Sequence, residues 1–353
     1  MKNVKIILSA VVFCFITLTT FSQASNERCF QLSFIAPLGT NGMQSHLTTN
    51  KISFNILGGH SYSNTAFEFG GLYNVNTHFT KGFQFAGIAN YTDSTKNVVQ
   101  FGGVVNSAKK GTAAFQFGGI LNAAGGVKGV QFAGVVNGAK KVSGLQLSGI
   151  VNYSGEVKGV QIGGVVNIAK QLRGVQVGLI NYAEESDGVS VGLINIVKNG
   201  GKREFEVAFS EALHTAVSFK LGTDRLYTIF SGGINYIDQP VEYAAGVGFG
   251  THIHWKKDWG NQIELMGYAL TENGSFKDMD LNMLTQLKFT VSKEITRYFK
   301  VFAGPVLNMT ISKYVNPDTG VAGSSLSPWS MWKSNSGSTR LNSWIGFSAG
   351  VRF

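Results

Sequence analysis

One short phrase recurs nine times between Ala66 and Asn195, and it limits the folds open to this chain more than any other feature. In order the copies read FEFGGLYN, FQFAGIAN, VQFGGVVN, FQFGGILN, VQFAGVVN, LQLSGIVN, VQIGGVVN, VQVGLIN and VSVGLIN. Each closes on an asparagine, Asn74, Asn90, Asn106, Asn122, Asn137, Asn152, Asn167, Asn181 and Asn195, at spacings of 16, 16, 16, 15, 15, 15, 14 and 14 residues. The second position is Glu68, then Gln84, Gln100, Gln116, Gln131, Gln146, Gln161 and Gln176, then Ser190. A fixed period this short means stacked units, none of which buries an apolar face alone.

In the copy Gly129–Asn137, Val130 and Phe132 fall on one face of a strand and Gly129, Gln131 and Ala133 on the other. Gly138–Ser143 reads as a turn-rich connector. Each copy is then one strand of about nine residues plus a connector. Phe132 is expected buried between copies and Lys140 exposed. Two architectures fit. In a β-solenoid each copy is one coil, and identical residues stack about 4.8 Å apart, so Gln and Asn form ladders. In one large antiparallel β-barrel each copy is one strand, and the loops at the two ends are usually unequal. The pair Gly163-Gly164 shortens to single glycines at Gly178 and Gly192. Losing a residue inside a flat strand would turn every later side chain to the other face. Losing it at a bend would not. The glycines therefore read as bends, which favours the solenoid for residues 66–197. Because every copy keeps the same amide, the Gln and Asn rows read as structural ladders rather than as a flat glycan-binding surface.

Residues 1–24 read as a secretory signal peptide, with Lys2 and Lys5, an apolar run Ile6–Thr17 and Ser22-Gln23-Ala24 at the cleavage positions. The apolar run is too short to span a membrane, and Phe13 before Cys14 is wrong for lipidation. Cys29 is then the only cysteine of the mature chain, which excludes an intrachain disulfide and a cysteine metal cluster. Residues 25–65 hold two lead-in strands, Cys29–Ala36 and Lys51–Leu57. Net charge is +10, but the lysines are spread through the connectors with no interleaved aromatic patch. This argues against nucleic acid and for outer-membrane lipid, surface glycan or glycolipid as the partner.

After Asn195 the period stops, and residues 198–353 alternate with period two. Ile345, Phe347, Ala349, Val351 and Phe353 face one way, and Gly346, Ser348, Gly350 and Arg352 the other. Eight candidate strands follow, 203–211, 214–221, 225–236, 243–255, 262–271, 281–293, 298–310 and 342–353, enough for a small closed barrel of outer-membrane type. Tyr243, Trp255, Tyr268 and Trp344 are expected at interfacial girdles. Residues 311–341 are expected to be a long loop.

The Gly-apolar-Gln-apolar-Gly-(Gly)-apolar-apolar-Asn phrase, passing into GVSVGLINIVKNGGKREFEVAFSEA and RLYTIFSGGI, resembles the surface-repeat-containing proteins of Gram-negative bacteria. The resemblance covers Phe67 to about Ile234. It implies an exported, envelope-associated protein and carries over no functional residue.

His252 and His254 share a face with Gly246, Gly248 and Gly250, and with Glu264 as a third ligand they would suit a metal; polar residues at a barrel mouth are the plainer reading. Glu204, Glu206 and Glu211 follow Lys198, Lys202 and Arg203 and read as a solvated charged face. His214 with Ser210 lacks the G-x-S-x-G of a serine hydrolase. No cofactor fingerprint is present. The expectation is a non-enzymatic cell-surface protein presenting its repeats for adhesion or structural association, with no catalytic, cofactor or metal residues. The alternatives are an outer-membrane channel and an envelope enzyme acting on lipid or glycan.

Overall fold

The computed structural model describes residues 26–236, 241–256, 258–271, 281–315, 323–324, 326 and 329–353, so the expected leader at 1–24 lies outside them. Among the described residues the fold is all-β, with one short 3-10 helix, Gly42–Leu47. It consists of a 17-stranded sheet followed by a 9-stranded sheet.

The first sheet is a parallel β-solenoid. One coil comprises the strand Leu145–Ser148, a corner at Gly149-Ile150, the strand Val151–Val157 and a second corner at Lys158-Gly159. The next coil lies on it in register, Gln146 opposite Gln161 and Asn152 opposite Asn167. The phrase therefore straddles a corner. Each copy supplies two strands, not the single nine-residue strand expected, and the connector residues belong to the second of them. Both corners demand glycine. A Cβ on Gly149 would collide with the carbonyl oxygen of Gly134, and one on Gly159 with that of Gly144. In the shortened copies the corner survives as Gly178-Leu179, and the lost residue comes off the end of the strand Val175–Val177. Asn181 thus still stacks on Asn167. The lead-in strands fall in Asn26–Ile35, one residue short of the expected end at Ala36, and in Thr48–Gly70, and they stack in parallel at the head of the solenoid, Phe30 opposite Ile52.

The solenoid interior holds the amide rows beside a row of buried apolar residues that includes Val142, Val157 and Leu172. Gln131, Gln146, Asn137 and Asn152 have no exposed surface, whereas Phe132 is 47% exposed. The expectation that Phe132 is buried is thus overturned, although the alternation of faces is as read. The outer rows are apolar around the Gly-Gly corner, with Phe101, Phe115, Ile120, Ile150 and Leu179 all exposed. The opposite corner carries the charges. There Glu156 accepts Lys141 at 3.3 Å, Lys158 at 3.5 Å and Arg173 at 3.5 Å.

The second sheet is built on eight antiparallel strands: β1 (Lys202–Ser210), β2 (Thr215–Gly222), β3 (Tyr227–Asn235), β4 (Glu242–Lys256), β5 (Trp259–Thr271), β6 (Asn282–Thr296), β7 (Phe299–Ser312) and β8 (Thr339–Arg352). These are the eight expected strands with small boundary shifts. β8 returns to β1, Val207 opposite Val351, and Phe205 and Phe353 exchange two backbone hydrogen bonds, so the sheet closes into a barrel. A ninth strand, Trp332–Ser336, forms a hairpin with β8 inside the stretch expected to be loop. The barrel wall is apolar outward, with Phe205, Phe219, Val247, Leu265, Phe289 and Phe347 exposed, and mixed inward, where Met266, Leu270, Leu284 and Phe302 are buried beside Lys220, Glu264 and Arg352. Tyr243 and Trp255 are exposed as expected of girdle residues, but Tyr268 and Trp344 are fully buried. Strand parity explains the difference: Tyr268 shares the inward face of Glu264, and Trp344 that of Ser348 and Arg352.

The two parts meet at the rim where β1 begins. Asn195 Nδ2 donates to Thr228 Oγ1 at 2.8 Å, and Thr228 Oγ1 donates to the Gly192 carbonyl at 2.9 Å. Thr228 pairs with Phe249 and so lies on the outward wall. The apolar corner of the last coil therefore abuts the apolar face of the barrel.

Candidate functional site

Two amide ladders fill the solenoid. From Asn55 each asparagine Nδ2 donates to the Oδ1 of the next at 2.8–3.1 Å, through Asn181 to Asn195 and on to Thr228. The same nitrogen also bonds a backbone carbonyl of the following coil, as Asn152 does with Ile162 at 2.8 Å. A carbonyl only accepts, so the orientation of each amide is fixed. The glutamine ladder runs the other way: Gln176 donates to Gln161 and so on down to Gln84. Gln84 Nε2 ends the run on Glu68 Oε2 at 2.8 Å. Glu68 has no exposed surface and also accepts Asn76 Nδ2 at 2.6 Å. Burial pushes its carboxyl up to about 7, against the hydrogen bonds from Gln84, Asn76 and Asn55. The one copy with a carboxylate in place of glutamine is thus the terminus of the ladder.

In the barrel lumen, buried Glu204, Glu206 and Glu264 are matched by buried Lys220, Lys288 and Arg352. Lys220 Nζ bonds both Glu206 and Glu264, Arg352 Nε bonds Glu206 at 2.6 Å, and Tyr227 OH donates to Glu264 at 2.7 Å. The Arg352 guanidinium also lies over the Phe302 ring at 3.8 Å. Glu204, Glu206 and Glu211 are therefore not the solvated face expected. The first two point into the lumen. Glu211, at the opposite rim, accepts Asn308 Nδ2, Trp344 Nε1 and the Phe347 amide, the last where β1 has ended and no longer pairs with β8. Glu206 and Glu211 are thus held by cations and amides as structural groups, while Glu204 Oε1 is buried without a hydrogen bond, 3.7 Å from Arg352 Nε. Ser210 Oγ is engaged with the Leu213 backbone, and His214 Nδ1 accepts the Tyr236 amide.

The histidine pair finds a different third partner from the one expected. Glu264 is committed to Lys220 and Tyr227, while Asp224, in the turn between β2 and β3, reaches His252 Nδ1 at 3.2 Å and His254 Nδ1 at 4.0 Å. The Asp224 carbonyl accepts the His252 amide at 2.7 Å, which seats the turn on β4. Burial opposes ionisation of Asp224, but the hydrogen bond from His252 and the Lys202 charge hold its carboxyl below the usual range. No pattern in the sequence links Asp224 to a histidine 28 positions later; the register of the β3–β4 ladder, Tyr227 opposite Gly250, brings them together.

Comparison with protein-family models, curated proteins and solved structures gives no match to this chain.

Proposed function

We propose that the chain is a non-enzymatic protein of the Gram-negative envelope: the barrel anchors it in the outer membrane, and the solenoid serves structural association along that membrane. The observation that carries this reading is the barrel wall, whose outward face is a continuous run of exposed Phe, Val, Leu and Ile while its charged side chains are buried in the lumen. A wall with such an outward face is stable only where lipid, not water, lies against it. The lumen favours an anchor over a channel, because it is packed with Tyr227, Tyr268, Trp344 and paired charges that have no exposed surface.

Connection lengths support an orientation. At the rim where the solenoid enters, the strands are joined by residues 223–226, 257–258 and 297–298. At the other rim they are joined by 211–214, 236–241, 272–281 and 313–338. Outer-membrane barrels place short turns toward the periplasm and long loops outside. On this reading the solenoid is periplasmic rather than displayed on the cell surface. Its apolar corner, already against the outward wall at Thr228, lies on the inner leaflet, and its lysine-rich corner faces water.

Single cysteines introduced into a Cys29→Ser background test this directly. Lys140→Cys should resist a membrane-impermeant maleimide in intact cells and react once the outer membrane is permeabilised. Gly337→Cys should react in intact cells. Labelling of Lys140→Cys in intact cells would refute the orientation, and recovery of the protein in the soluble fraction would refute the anchor.

A further inference from the structure

We propose that Asp224, His252 and His254 form a binding site for a divalent cation of the zinc class at the short-turn rim of the barrel. The proposal goes beyond the anchor reading and does not depend on it. Among the described residues these three are the group of His, Cys, Asp and Glu whose ligand atoms all lie within 4.8 Å of one another. Metal–ligand bonds of about 2.0–2.2 Å in tetrahedral geometry place neighbouring ligand atoms roughly 3.4 Å apart. His254 Nδ1 lies 4.0 Å from Asp224 Oδ2, and His252 Nδ1 3.2 Å from the other oxygen, Oδ1, so small side-chain rotations bring the three donors to that spacing. Two imidazoles and one carboxylate suit zinc and its neighbours better than the hard ions calcium or magnesium.

The site is already built. His252 and His254 are two residues apart on β4, and their ring centroids are 3.9 Å apart. Gly260, opposite His254 across the β4–β5 ladder, leaves room for the His252 imidazole, since a Cβ there would collide with the His252 ring. Asp224 is pinned by two bonds to its carbonyl, from the His252 amide and from Thr251 Oγ1 at 3.3 Å. The three donors thus sit on rigid elements, as a metal site requires. His252 is buried, while His254 and Asp224 are half exposed, so an ion can enter from the rim. Three protein ligands leave a further position for water.

Lys202 Nζ lies 3.4 Å from Asp224 Oδ1 and opposes a second cation there. The same ammonium is also 3.4 Å from Glu204 Oε2 and 4.9 Å from the centre of the Tyr227 ring. Asp224 Oδ2, on the His254 side, is the oxygen left for the ion.

The test uses untagged, detergent-solubilised full-length protein, equilibrium dialysis with Zn2+ and visible absorption with Co2+. One equivalent should bind, with a Co2+ band from nitrogen and oxygen ligation. His254→Ala and Asp224→Asn should each weaken binding by about tenfold or more. His46→Ala, which alters the separate His46–His60 pair, should bind like wild type. Heat-modifiable migration of each variant confirms that the barrel is intact. The proposal is overturned if wild type binds no ion in excess Co2+, or if His254→Ala and Asp224→Asn bind as tightly as wild type. Either result would leave the three residues as a clasp that only seats the turn.

Discussion

Glu68 is the point where pH should act on the solenoid. Its carboxyl ionises at about 7 in the fold against 4.5 in the unfolded chain, so the folded state holds the proton more tightly. The associated stability is fully present below pH 4.5 and is lost as pH rises to about 7. At about 1.4 kcal/mol per tenfold, that separation amounts to about 3 kcal/mol. The structure supplies a partner for the proton. Asn76 Oδ1 is buried without a hydrogen bond, and its Nδ2 sits 2.6 Å from Glu68 Oε2. Turning that amide over puts an oxygen at a distance suited to a carboxylic O–H donor. Glu68→Gln is neutral at every pH, and its amide oxygen accepts Gln84 Nε2 in the place of Oε2, which extends the glutamine ladder by one member. In denaturant titrations of the detergent-solubilised protein, wild type should lose about 3 kcal/mol between pH 4 and 8 that the variant keeps. Solenoids open locally, so amide exchange in the strands flanking Glu68 should show the same difference. Parallel pH profiles for the two proteins would refute the assignment.

Asn137→Ala should destabilise by about 1–3 kcal/mol for each buried group it leaves unpaired, among them Asn152 Oδ1 and one of the two N–H groups of Asn122 Nδ2. Phe132→Ala, half exposed, should cost less in detergent melts; the opposite order would restore an apolar interior. Deleting Gly144–Lys158 removes one whole coil, so Gln161 should stack on Gln131 and the protein reach the membrane at near wild-type levels; degradation would contradict parallel stacking. Arg352→Ala leaves Glu206 with Lys220 as its main cation and should lower barrel stability by about 3–5 kcal/mol, read as a drop in the temperature of the heat-modified gel shift.

The repeat was legible as a solenoid because the shortened copies keep their faces, and the eight barrel strands were legible because they alternate. The Phe132 row was misassigned to the core, whereas the amide rows were read as ladders and are buried. The sequence held the corrective: Phe132 has Leu147, Ile162 and Val177 as equivalents, whereas the amides hardly vary. An amide ladder needs its partner to be identical, while lipid asks only for an apolar side chain. The interior positions of Tyr268 and Trp344 follow from parity, which should outweigh the habit of placing aromatics at interfaces. The Asp224 cluster and the lumen network were not legible, because their members lie up to tens of residues apart and meet through strand register, across the lumen for Lys220 and Glu264 and through closure for Arg352 and Glu206.

The apolar outward face of the barrel is tested most directly on β6. Nitroxide labels placed one at a time from Met283 to Val291 in lipid-reconstituted protein report collisions with apolar oxygen and with a polar nickel reagent. Outward Met283, Leu287, Phe289 and Val291 should favour oxygen, while inward Leu284, Gln286, Lys288 and Thr290 should be shielded from both, giving a period of two. Preferential collision of the nickel reagent with Leu287 and Phe289 would place water against the barrel wall and contradict a membrane anchor.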